Sequence, residues 1–87
     1  MAHTRTLPQI TAHVRALRGI LVDLPTTYPT ELTAAERAEF TAIRDDLDLV
    51  ERNAAKGQLT NATAMLPNIT ERVWDLQDMI TDRQARA

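Results

Sequence analysis

The sequence predicts an all-α fold, an antiparallel three-helix bundle whose second and third helices form a long hairpin. Three observations carry this. Apolar residues recur at alternating intervals of three and four in three separate segments, the spacing that gathers them on one helical face in a coiled-coil-like heptad seam. Turn formers are scarce: two glycines and four prolines in 87 residues are too few for a sandwich or barrel. Little more than Gly57 separates the second segment from the third, so those two must fold back on each other.

The first helix is expected over about residues 7–24. Its seam is Leu7, Ile10, Val14, Leu17, Leu21 and Leu24. Thr6 and Gln9 form a capping box at its start, Pro8 is tolerated in the first turn, and Pro25 is expected to end it. Pro25 and Pro29 then make residues 25–32 an extended strap rather than a flexible hinge.

The second helix, about 33–56, opens on another capping box, Thr33 with Glu36. It carries Phe40, Ile43, Leu47, Val50 and Ala54 on its seam and stops at Gly57, which suits a left-handed C-terminal cap. The third helix, about 58–84, carries Leu59, Ala62, Leu66, Ile69, Val73, Leu76 and Ile80. Because this seam keeps phase across Pro67, one kinked helix is expected, with a break near 66–68 as the alternative. Folding about Gly57 pairs Ala54 with Leu59, Leu47 with Leu66, Ile43 with Ile69 and Phe40 with Val73, all of them apolar.

These elements make a single domain, 1–87. At 1.5 Å per residue the first helix would be roughly 27 Å long and the third roughly 40 Å. The hairpin tip, from Val50 to Ala62, is therefore expected to be thinly covered and available for contact. A domain of this size buries little apolar surface, so self-association or a partner helix is expected to complete it.

Composition narrows the function. With no cysteine there is no disulfide or thiolate metal site, and with no serine either the usual nucleophiles are missing. His3 and His13 are not at ligand spacing, and no glycine-rich phosphate loop occurs. These points argue against an enzyme and against a cofactor or metal. The N-terminal residues lack an apolar secretory core, and the apolar run Ile20-Leu21-Val22 ends at Asp23, so a cytoplasmic protein with no membrane span is expected.

The net charge of −2 divides as +2 over residues 1–30, −3 over 31–56 and −1 over 57–87. No basic stripe of the kind nucleic-acid binders carry is present. A helix-turn-helix reading of the Gly57 turn fails because the following helix has no Arg or Lys before Arg72. Nucleic-acid binding through Arg5, Arg15 and Arg18 is a minor alternative, tested by a salt-dependent affinity for DNA or RNA.

The residues left outside the seams are the candidate contacts. Trp74 follows seam residue Val73 at an outward position, either folding over the seam edge or anchoring an interface. Met65 and Met79 flank the third seam, where they would widen the core face or form an adaptable binding strip. Leu49 lies off the second seam in a row with Ala35 and Ala42. Gly19 lies outward in the first helix, where it costs about 1 kcal/mol unless another backbone approaches it. Glu71, Asp75, Asp78 and Asp82 share one side of the third helix, and Asp45, Asp46, Asp48 and Glu51 crowd the second. Both acidic sets read first as solvated faces, and second as mimics of a nucleic-acid backbone.

The leading expectation is a non-enzymatic protein–protein interaction module that docks on another protein and on itself. Small acidic helical proteins are common among phage and mobile-element accessory proteins, an analogy that suggests binding and modulating a host protein. The competing expectation is an acidic nucleic-acid mimic that inhibits a nucleic-acid-binding enzyme.

Overall fold

A computed structural model describes residues 4–27 and 32–86, with the side chains of 25–27 and 84 outside the description. Three helices, α1 (Leu7–Thr27), α2 (Ala34–Ala55) and α3 (Leu59–Arg86), pack as a three-helix bundle of 45 × 24 × 18 Å. All three pairs of helices are in contact, so one core is shared.

The helix ends are where local chemistry places them. Thr6 N–H donates to Gln9 Oε1 at 2.9 Å and Gln9 N–H returns to Thr6 Oγ1 at 3.4 Å. At α2, Thr33 N–H donates to Glu36 Oε1 at 2.8 Å, and Glu36 N–H to Thr33 Oγ1 at 3.1 Å. Each box satisfies two backbone donors that a helix start leaves open. At the other end of α2, Gly57 takes φ of 82°, its N–H donates to Ala54 O, and Gln58 N–H donates to Asn53 O at 2.8 Å. That pair of hydrogen bonds closes two of the last carbonyls and turns the chain into α3.

The 3,4 spacing selects the core correctly. Ile10, Val14, Leu17, Leu21 and Leu24 of α1, Ile43, Leu47, Val50 and Ala54 of α2, and Ala62, Leu66, Ile69, Val73, Leu76 and Ile80 of α3 are all buried. Phe40 and Leu59, placed on the seams, are half-buried and pack against this core, as do Ile20, Leu32 and Met65. Leu7 does not join it and is exposed. Helical side chains lean toward the N-terminus, so a residue opening α1 projects past the end of the core.

Two expectations about coverage fail together. Pro25 does not end α1, which continues to Thr27. Proline's φ fits a helix, and only two helical residues follow it, so the lost backbone donor falls in the last turns of α1. The tip is not thinly covered either, because Val50, Ala54 and Ala62 are fully buried. α1 begins at the tip: Arg5 N–H donates to Thr63 Oγ1 at 2.9 Å and Thr4 Oγ1 lies 3.4 Å from Thr60 Oγ1. From there α1 runs parallel to α3. The rest of the expected strap, residues 28–31, lies outside the described residues.

α3 is one helix through Pro67. The proline removes a single backbone donor, the one that would reach the Thr63 carbonyl. The seam residues beyond it, Ile69 to Ile80, hold the later turns in phase with α2 and α1.

Candidate functional site

With the core closed, the features able to carry function lie on the surface and at the helix–helix borders. Arginines of α1 and α3 hold most of the borders by reaching carboxylates of α2. Arg18 donates to Glu51 Oε1 at 2.8 and 2.6 Å and to Asp48 Oδ1 at 2.5 Å. Arg72 donates to Glu39 Oε1 at 2.7 Å and to Asp46 Oδ2 at 2.5 Å. Arg83 grips Glu36 with two bonds of 2.8 Å, Nε to Oε2 and Nη2 to Oε1. The acidic crowding of α2 is thus largely a set of interhelical partners, and a carboxylate face open to solvent is left mainly on α3.

Glu36 is buried, and it is the functional-looking residue that the capping box concealed. Its carboxylate serves two ends at once, capping Thr33 N–H and binding the Arg83 guanidinium. The Arg83 hydrogen bonds, helped by the Thr33 backbone bond, hold its pKa below the ordinary value against the opposing pull of burial. The signal was present in the spacing: Glu36 stands four residues before Phe40 and Arg83 three after Ile80, so both continue their seams.

The border between α1 and α3 is uncharged on the α3 side. Arg5 Nη1 lies 2.5 Å from His13 Nδ1, His13 Nε2 lies 3.1 Å from Thr70 Oγ1, and Thr70 Oγ1 donates to Leu66 O at 2.7 Å. With the Thr70 proton directed to Leu66, His13 must donate from Nε2 and accept from Arg5 at Nδ1. That assigns a neutral imidazole with a fixed tautomer. Partial burial, then the Arg5 charge, lowers the His13 pKa below its ordinary value.

No family model matches the chain, and no curated protein or solved structure is significantly similar to it.

The structure separates the sequence-selected contacts into different surfaces. Trp74 is 49% exposed and follows Thr70 by one turn, which puts it on the α1 side of α3. Met79 is 49% exposed on the α2 side, in an open groove with Ala35, Glu39, Arg72 and Asp75. Asp82 lies beside Met79 in a second groove with Thr33, Glu36, Arg83 and Arg86. Met65 is half-buried against the core, with Asn53 Nδ2 3.6 Å from its sulfur. Leu49 is 39% exposed, one turn before Asn53. Asp75 and Asp78 are exposed. Gly19 is exposed, and a Cβ built there meets nothing within 4 Å, so no backbone of this chain approaches it.

Periodicity passed over Val22, which is 67% exposed and borders a small apolar pocket with Leu21, Phe40, Arg18 and Arg44. Among the described residues no group of three or more His, Asp or Glu could hold a metal ion, and no helix is long and apolar enough to cross a membrane.

Proposed function

We propose that this chain is a non-enzymatic helical module that acts by docking on other proteins and on itself. One observation carries the reading. Among the described residues fifteen apolar side chains form a closed core, yet Val22, Leu49, Trp74 and Met79 stay substantially in water outside it. Of these Trp74 weighs most, because Trp is enriched among the anchors of protein interfaces. The interhelical arginines support the same reading, because they give the exposed groups a fixed scaffold to project from. A cytoplasmic site and a role as an accessory protein of a phage or mobile element belong to this proposal as its biological setting.

The competing mimic reading rests on Asp75 and Asp78, exposed carboxylates with no ion-pair partner among the described residues, and on neighbouring Asp82. Salt separates the two, since charge mimicry is screened and apolar docking is not. Immobilised protein should retain a partner equally at 50 and 500 mM NaCl, about the low and moderate ends of screening. Trp74→Ala should release it. Retention that survives Trp74→Ala but is lost on neutralising Asp75, Asp78 and Asp82 would replace docking with mimicry.

A further inference from the structure

We infer that a second copy of this chain packs antiparallel on the solvent face of α1, about a two-fold axis at Gly19. This rests on the self-association part of the proposed function and names its surface. Ala12, Arg15, Ala16, Gly19, Val22 and Asp23 are all exposed on that face. Arg15 and Asp23 have no hydrogen-bond or ion-pair partner among the described residues, whereas Arg18, turned toward α2, is held by Asp48 and Glu51.

The argument is one of charge and size around a centre. In an antiparallel helix pair related by a two-fold axis, a residue a given distance before the axis meets the residue the same distance after it. Arg15 stands four residues before Gly19 and Asp23 four after it. Each Arg15 then lies opposite Asp23 of the second copy, about 6 Å from the axis along the helix, and the pairing occurs twice. Ala16 and Val22 stand three residues to either side, so the most exposed large apolar side chain of α1 meets a small one. Gly19 sits at the crossing with open space above it. A parallel pair would set Arg15 against Arg15 and Asp23 against Asp23. The face is self-complementary in one orientation only, which is what a two-fold contact between identical chains requires and what an unrelated partner does not.

Sedimentation equilibrium across protein concentration, at low and moderate salt, tests this on the full chain. Wild type should populate a dimer. Arg15→Asp and Asp23→Arg should each weaken it about tenfold or more, the equivalent of roughly 1.4 kcal/mol. The double variant should restore it, because the charges are exchanged and remain opposite. Both substituted side chains are exposed, and circular dichroism checks that each variant is folded. A dimer indifferent to both single changes, or one not rescued by the double, overturns the α1 face while leaving self-association in place. A wild type monomeric at every concentration overturns both, and leaves docking on another protein to be judged by Trp74→Ala.

Discussion

Glu36 and His13 are two ionisable groups that folding takes partly or wholly out of water, and it treats them in opposite ways. Glu36 is held charged by Arg83, so its pKa falls from an ordinary 4.5. His13 is held neutral by burial and by Arg5, so its pKa falls from an ordinary 6.5. In both cases the unfolded chain binds protons more readily than the folded one. Stability is then complete above the unfolded value and is lost as pH falls through it toward the lowered folded value. Thermal unfolding followed from pH 8 to pH 3, a span of about five units around these groups, should decline in two stages. The first begins below 6.5 as His13 gains a proton at Nδ1 and faces Arg5 as a second cation. The second begins below 4.5, where Asp48 beside Arg18 adds to Glu36. His13→Gln should flatten the first stage and Glu36→Gln should reduce the second. A His13→Gln protein with the wild-type slope between pH 7 and 5, near the ordinary histidine range, would mean that the Arg5–His13–Thr70 chain does not form.

The course of α3 through Pro67 sets a local preference against a longer pattern. A proline in a helix interior costs about 3 kcal/mol, which is comparable to what burying one large apolar side chain contributes. Four seam residues follow Pro67, namely Ile69, Val73, Leu76 and Ile80, and all are buried only if the helix keeps its phase. The pattern therefore outweighs the proline, but the spacing could not by itself distinguish a kink from a break. Pro67 is exposed, so it supplies little packing in return. Pro67→Ala should restore the bond to the Thr63 carbonyl and raise stability by about 1–3 kcal/mol. At roughly 4–8 °C per kcal/mol for a domain of this size, calorimetry should show a clear rise in Tm. An unchanged or lower Tm would show that the missing Pro67 donor costs this helix nothing.

The bundle as a unit was readable from sequence wherever two signals met. Ile43 with Ile69 and Leu47 with Leu66 satisfied both the helical period and the closure at Gly57, and all four are buried. Coverage of the tip was misjudged because it was read from the length of α1, whereas it depends on where α1 begins, which is at the tip, with Arg5 N–H on Thr63 Oγ1. The ion pairs of α2 were not legible, because carboxylates on a helix flank look alike until the neighbouring helix supplies Arg18, Arg72 or Arg83. The same lack of a neighbour explains why Trp74, Leu49 and Met79 could be named as candidates but not assigned to surfaces. Leu47 and Leu49 offer the sharpest test of the distinction between fold and surface. They are chemically identical, two residues apart on α2, with Leu47 fully buried and Leu49 39% exposed. Leu47→Ala removes side-chain volume from the centre of the hairpin and should cost about 2–5 kcal/mol. A chain of this length has about 4–13 kcal/mol in all, so that variant should be severely destabilised in urea. Leu49→Ala should stay within about 0.5 kcal/mol of wild type, as surface changes do. Equal losses at the two positions would mean that Leu49 is covered in the folded protein, and the proposed division between a closed core and exposed docking groups would not stand.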